Sequence, residues 1–588
     1  MQVVPSAVVM SPLVAAWRAT RRREGAGLMA EVRWMGRFAT TGLAGAAIAV
    51  TAVMAVDAAR AADLPVRKAV PIEFVRVCSA SGAGFFYIPG TDTCLRVSGR
   101  ARFEAGYIPV QNRTNSAGDL SQYRGLMRMN VDARTQTGYG TLRAFLRVEA
   151  ASRTGVTMAS GTQQRIGNAF PATGQDALGR VQNYVVADKA FVQFAGLTAG
   201  RASSFFDFYA HDYELIGSTA GSDMPSTNLL AYTSKMGEGW SATLSMEDPN
   251  LRKNPFYAAS AAPTGTIPGQ SGVNNVFVTA PSPVILGTNA NGTASTAVFV
   301  DAVQRSRMPD FVGALRYDAG WGSIQLSAAV KDVNIGGFIA NSGISTLTAA
   351  PGSATGPVGA GTAAALLATR GITSGSQTDH GWAVQGGIKL NLPWIATGDG
   401  LYLQGAYGEG ALIYTGFSYF TGNYSGQLTP VQGGPFVQAL ADAVINPLTG
   451  RIDLSKSFTA TASLLHYWAP EWRSAVFGSY GEVGFRRGTR EAFSLVNNLV
   501  GSSAPPTGAA FASNPILRDN YQIIAGASLI WSPVKDLDIG IEGTYIGTGL
   551  LGGRDADATR PVTVNGLPAY TEKHYDTTQI RIRVQRDF

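Results

Sequence analysis

Cysteine, histidine and long apolar runs are all scarce in this chain, and each scarcity removes a class of function. Two cysteines and four histidines stand among 588 residues. His211, His380, His466 and His574 lie far apart and lack the short spacings of a zinc site. No Gly-x-Ser-x-Gly elbow and no phosphate-cradling P-loop occurs. The string Gly359-x-Gly361-x-x-Ala364 imitates a dinucleotide fingerprint, but it sits in an Ala/Gly-rich stretch with no strand before it. No enzyme activity, metal or cofactor is therefore expected. Charge is also sparse, at 15% of residues. The net charge of +7 falls to +3 once residues 1–61, with seven Arg against three acids, are set aside, so no groove for nucleic acid is expected. After Ala62 no run of 18 or more apolar residues appears, which excludes spanning a bilayer by helices.

The first sixty residues carry an address instead. Thr41 to Val56 is a short apolar run preceded by Arg33 and Arg37 and followed by the small-residue site Ala59-Arg60-Ala61. This is the pattern of a secretory signal cleaved before Ala62, and it is shorter than the ~20 residues of a membrane anchor. Counted from Met1 the leader is long, which makes Met29 or Met35 candidate starts. The expected organisation is a signal region over 1–61, a short periplasmic segment over 62–94, and a single domain over 95–588. Cys78 and Cys94 fall in the exported part, where the compartment oxidises thiols, and are read as one disulfide, with two free thiols as the alternative. Such a loop closure is worth roughly 3 kcal/mol in the chain-entropy model.

What the chain has in abundance is glycine, 70 residues of it, and period-two alternation. From Leu95 to Tyr107 one face reads Leu95, Val97, Gly99, Ala101, Phe103, Ala105, Tyr107, and the other Arg96, Ser98, Arg100, Arg102, Glu104. Tyr123 to Arg134 sets Met127, Met129 and Val131 against Arg124, Arg128, Asn130 and Asp132. Thr141 to Glu149 sets Leu142, Ala144, Leu146 and Val148 against Arg143, Arg147 and Glu149. The pattern returns around residues 324–330, 382–390 and 537–545, and ends with Ile580, Ile582, Val584 and Phe588 opposite Arg581, Arg583, Gln585 and Asp587. An exported chain built this way fits a barrel in lipid, apolar side chains outward and polar ones toward enclosed water.

Connections alternate in length. Short ones fall at 136–140, 237–239, 319–322, 469–472 and 532–536, and long ones at about 248–310, 333–380, 409–456, 483–519 and 547–575. Short periplasmic turns and long external loops are the mark of an outer-membrane barrel. This segmentation predicts an all-β transmembrane antiparallel barrel of sixteen strands, with eighteen left open and the fourth to seventh strands the weakest. The long stretches 257–300 and 339–366, rich in Ala, Gly, Ser and Thr, are expected to be surface loops. Tyr107, Trp240, Trp321, Trp382, Trp468, Trp472 and Trp531 sit near strand ends, where amphipathic rings suit the membrane interface.

Ala62-Asp63-Leu64-Pro65, Val75-Arg76-Val77-Cys78 and the run Gly84 to Arg96 (GFFYIPGTDTCLR) together resemble the N-terminal signature of the general porins of alphaproteobacteria. Ala190 to Gly196, Gly200-Arg201, Ser204-Phe205-Phe206-Asp207 and the terminal Phe588 are similar to that family as well. The long loops from 248 onward carry no matching motif. The resemblance implies a sixteen-stranded barrel, a homotrimer, and general diffusion of small hydrophilic solutes and ions. It also implies a C-terminal Phe588 presented to the barrel-assembly machinery and a third external loop folded into the lumen. That loop is expected at about Asp207 to Leu229, with Asp207, Asp212, Glu214 and Asp223 facing a basic wall of Arg96, Arg100, Arg102, Arg124, Arg128, Arg143 and Arg147. The expected function is a passive aqueous pore in the outer membrane of a Gram-negative bacterium, in contact with its lipid. The alternatives are a substrate-selective outer-membrane channel and a non-pore surface β-protein or adhesin. Only some thirty residues separate Ala62 from the first strand, too few for the plug domain of an energised uptake receptor.

Overall fold

The computed structural model describes residues 76–108, 120–154, 182–254 apart from 210 and 223–225, 304–336, 376–417, 440–497 and 517–588 apart from 558–559, 561 and 565–566, with short segments at 256, 282–288, 294–300, 344–347 and 354–358. The expected leader over 1–61, the beginning of the 62–94 segment and the Gly359 to Ala364 string lie outside the described residues.

Sixteen strands alternate in direction around a closed wall. In chain order the first eight are β1 (Thr93–Ile108), β2 (Leu120–Thr137), β3 (Gly140–Thr154), β4 (Gln182–Phe194), β5 (Leu197–Ala202), β6 (Thr227–Lys235), β7 (Trp240–Glu247) and β8 (Asp310–Ala319). The rest are β9 (Gly322–Ile335), β10 (Gln377–Asn391), β11 (Gly400–Glu409), β12 (Lys456–Ala469), β13 (Trp472–Gly484), β14 (Asn520–Val534), β15 (Leu537–Leu550) and β16 (His574–Asp587). Each pairs antiparallel with its sequence neighbours, and β16 pairs with β1 from Tyr107↔Ile580 to Arg100↔Asp587, so the sheet has no open edge. Sixteen strands, rather than the eighteen left open, is the observed count.

The wall is inside out relative to a soluble core. On β16, Ile580, Ile582 and Val584 are 50%, 46% and 37% exposed, whereas Arg581 and Arg583 are 0% and 8% exposed. The same inversion holds on β2, where Met127 and Met129 are exposed and Arg124 and Asp132 are buried. Only a lipid exterior makes a continuous band of exposed Leu, Val, Ile, Met and Phe favourable, and only a polar interior makes the opposite rows favourable. Rings mark the two borders of this band. Trp472 stacks on Trp531 at 5.8 Å and Trp240 lies 4.9 Å from Tyr317 by the short turns, while Trp382 lies 5.6 Å from Tyr407 at the opposite end.

Short turns close the periplasmic side. At Ala195-Gly196 both residues take positive φ, 49° and 88°, the twist that lets a two-residue hairpin match its strands. At Gly196 a Cβ would come 2.7 Å from the Thr233 carbonyl oxygen. Below the seam, the lower edge of β1 is covered twice. Phe588 exchanges backbone hydrogen bonds with Gly99 (2.8 and 3.1 Å), and Phe86–Tyr87 pairs with Leu95 and Cys94. The Cys78–Cys94 disulfide is formed, with a Cα–Cα distance of 5.9 Å, and ties this N-terminal hairpin to the strand it covers. Gly99 matters here because a Cβ would collide with the Phe588 ring.

One expectation needs correction. The third external loop runs over 203–226, not to Leu229, because Thr227 begins β6. Leu229 and Ala231 turn inward onto Ala202 beneath Phe191 and Phe205, while Leu230 and Tyr232 face outward, so both faces are apolar there and alternation fades. The stretches 257–300 and 339–366, expected as surface loops, carry short strands of their own. Ser282–Thr288, Ala294–Val300, Ile344–Leu347 and Ala354–Val358 pair into a four-stranded sheet that joins the fourth and fifth external loops.

Candidate lumen constriction

The β5 to β6 connection, 203–226, folds across the barrel interior. Its first limb lies on the inner wall. Gln325 and Gln385 donate to the Phe206 carbonyl oxygen (3.4 and 2.8 Å), Ser327 donates to the same oxygen (2.8 Å), and the Tyr209 N–H donates to Gln404 (2.9 Å). These side chains, three donors and the acceptor Gln404, are inward polar positions on β9, β10 and β11. They match a backbone that would otherwise leave buried carbonyls unpaired. At the tip, the Leu215 and Ile216 N–H groups each donate to the Glu542 carboxylate on β15 at 2.6 Å, and Arg583 on β16 donates to the Leu215 carbonyl oxygen. On the return limb the Ala220 N–H donates to Ser479 (2.8 Å) and Thr461 donates to the Ala220 carbonyl oxygen. Seven strands thus grip one loop.

Within the loop Glu214 is the organising group. It accepts from Tyr209 (3.0 Å), from the Ser218 N–H (2.8 Å) and from Thr219, and it faces His211 at 3.3 Å. Burial alone would raise its carboxyl, but the His211 and Thr219 interactions hold it below the ordinary carboxylate value. His211 takes φ 56°, a left-handed conformation uncommon for a non-glycine residue. Beside it Asp212 accepts from the Tyr402 hydroxyl (3.0 Å), and burial together with Asp212 pushes the Tyr213 phenol up to about 12.

A cavity of about 560 Å³ remains between this loop and the wall. Of the expected basic residues, Arg100, Arg102, Arg128 and Arg147 line it, and of the expected acids Asp212 and Glu214 do. The others go elsewhere. Arg96 is exposed near Gly84 of the N-terminal hairpin. Arg143 pairs with Asp132 at 2.9 Å and lies over the Phe145 ring at 5.0 Å, toward the periplasmic end. Arg124 is 1% exposed and ion-paired with Glu104, so it belongs to a buried cluster and not to the water-lined wall. Asp207 is not among the cavity-lining residues; it is hydrogen-bonded to Ser222 of the same loop and lies 3.7 Å from Arg252 of the fourth external loop. Asp223 lies outside the described residues.

The wall charges are interleaved, not purely basic. Arg100 binds Asp587 in a fork (2.6 and 3.0 Å), Arg128 pairs with Glu149, Arg147 reaches Asp188 at 3.4 Å, and Arg473 reaches Asp538 at 2.7 Å. Seven Arg and Lys and six Asp and Glu side chains line the cavity, a near balance. Asp188, Lys189, Arg473, Asp538 and Asp587 were not singled out from sequence, although the alternation on β15 and β16 already put Asp538 and Asp587 on the inward row. Neighbouring strands supply cation and acid at matching register, which strand-by-strand reading does not show.

Residues 63–564 match the family model described as the Porin subfamily. The Omp2b porin of Brucella abortus (strain 2308) is 31% identical over 291 residues, covering 48% of this chain and 63% of that relative's length. The Omp2b porin of Brucella suis is 30% identical over 289 residues, with the same coverage. Among solved structures, the outer-membrane channel DcaP of Acinetobacter baumannii is similar over 85% of this chain and 99% of its own, at 13% identity and a TM-score of 0.45. The chain therefore belongs to the Porin subfamily and is an outer-membrane β-barrel.

Proposed function

We propose that this barrel is a passive, water-filled channel through which small hydrophilic solutes and ions diffuse, narrowed by the loop over 203–226, and that it works as a homotrimer. The observation that carries the proposal is the closed inside-out wall with a polar cavity left open between that loop and strands β1 to β4 and β12 to β16. A solute crossing here keeps its hydration and exchanges water for wall hydrogen bonds, so width and wall charge decide what passes. Because Arg100, Arg128 and Arg147 each stand beside an acid, the field across the cavity is local, and ion selectivity is weak. On this reading Arg100, Arg102, Arg128, Arg147, Asp212 and Glu214 border the permeation path. Phe588 closes the seam and is proposed as the terminal signal read by the barrel-assembly machinery.

Liposome swelling with neutral sugars of graded size tests this. A smooth decline of rate with size supports general diffusion, and absence of swelling with the smallest sugar contradicts any pore. The partly exposed Tyr213 ring beside Asp212 favours a second reading, a channel selective for ring-bearing polar solutes. It predicts one sugar that permeates far faster than its size allows.

A further inference from the structure

A second external loop also folds inward. The β11 to β12 connection, described over 410–417 and 440–455, re-enters the barrel directly after Glu409, and Leu412 to Thr415 form a single 3-10 turn with every residue buried. Its polar groups seat on the wall. Thr415 meets Ser457 at 2.6 Å, Thr459 donates to the Thr415 carbonyl oxygen (2.8 Å), and the Tyr414 hydroxyl donates to Asp310 of β8 (2.7 Å). Its apolar groups seat on the constriction loop. The Tyr414 ring lies 4.8 Å from Phe206 on the first limb. Gly416, at φ 97°, crosses Gly221 on the return limb so closely that a Cβ at 416 would collide with the Gly221 backbone nitrogen. Gly221 has no free space behind it, because a Cβ there would come 2.6 Å from the Gln404 amide.

The inward loop is pinned by a buried ion pair. Asp442 accepts from the Leu412 N–H (3.0 Å), from the Asn254 N–H of the fourth loop (2.9 Å) and from Lys331 on β9 (2.5 Å), and Lys331 also donates to the Arg252 carbonyl oxygen (2.7 Å). Both charged side chains are fully buried. A buried pair of this kind is weak evidence for stability, and removing one partner is costly, which makes it suited to fixing a register between loops.

We propose that the described parts of the β11 to β12 loop, 410–417 and 440–455, form a buttress that sets how far the constriction loop reaches into the channel, with Gly416 and Asp442 as positioning residues for the eyelet. The proposal rests on the reading that the 203–226 loop is what narrows the passage. The clamp of Gly221 between Gly416 and the wall transmits any change at 416 to the return limb. The Lys331–Asp442 pin keeps the buttress from withdrawing.

The test uses single-channel recording and sugar size cut-off on the full barrel, with heat-modifiable gel mobility as the check on folding. Gly416→Val is expected to lower both conductance and cut-off. Asp442→Asn, which strands Lys331, is expected to raise conductance with flickering substates, and the double change Lys331→Met with Asp442→Asn to quieten them. Tyr414→Phe is a milder variant that leaves packing intact and is expected to shift the cut-off upward, so the proposal stays testable if the first two do not fold. Asp212→Asn serves as the eyelet control. If Asp212→Asn alters ion selectivity while the folded Gly416, Asp442 or Tyr414 variants keep wild-type conductance and cut-off, the buttress is overturned and the eyelet reading stands. If Asp212→Asn is silent too, the eyelet reading fails, and the buttress with it.

Discussion

At the scale of single residues, the cavity wall works by pairing. Arg128 stands opposite Glu149 in register on the adjacent strand, so each holds the other's charge in check. Arg128→Ala is expected to leave Glu149 uncompensated and to shift reversal potentials toward cations, and Glu149→Gln to shift them toward anions; equal shifts of the same sign would contradict this pairing. Glu214 makes a second residue-scale prediction. Its carboxyl is held below the ordinary value of about 4.3, so its contribution to loop docking is complete above that pH and is lost only as pH falls through the lower folded value. The part of the open-channel noise that Glu214 governs, read as the difference between wild type and Glu214→Gln, should stay flat from neutral pH down to about 5 and change only in stronger acid. A difference between the two that already changes near neutral pH would contradict it. Arg124 shows the limit of inference from one strand. Its inward position was legible, but its burial with Glu104 depends on β1 and β16 together.

At the scale of elements, strands with opposed faces were the legible ones. The long connections expected at 248–310 and 409–456 fall within a residue of the observed ends of β7, β8, β11 and β12, because charged and apolar rows contrast sharply there. The weak fourth to seventh strands are β4 to β7, three of them nine residues or fewer, and β6 hides an apolar inner patch that blurs the alternation. The inward course of residues 410–417 was illegible for another reason. Its pin joins Lys331 to Asp442, 111 positions apart, and no local period reports such a pair. The covered edge of β1 is an element-scale feature with its own test. Replacing Cys78 and Cys94 together by Ser is expected to lower stability by roughly 3 kcal/mol, read as a shift in the urea midpoint of refolding into liposomes. An unchanged midpoint would show that the N-terminal hairpin holds without its tether.

At the scale of the whole molecule, the governing fact is the inversion of inside and outside. Outward Ile582 faces hydrocarbon, so Ile582→Arg should cost about 2–4 kcal/mol of folding into bilayers if it lies near the midplane, whereas Ile582→Leu should cost little. A closed wall of this kind encloses solvent, and among the described residues two loops fold into it from the same side. Planar-bilayer recording of the purified barrel across a series of salt concentrations tests that claim most directly. Stepwise, ohmic conductance that rises in proportion to bulk conductivity, with steps grouped in threes for a trimer, is the predicted result. A folded, inserted barrel that gives no steps, or steps that saturate as salt is raised, would contradict a continuous aqueous path.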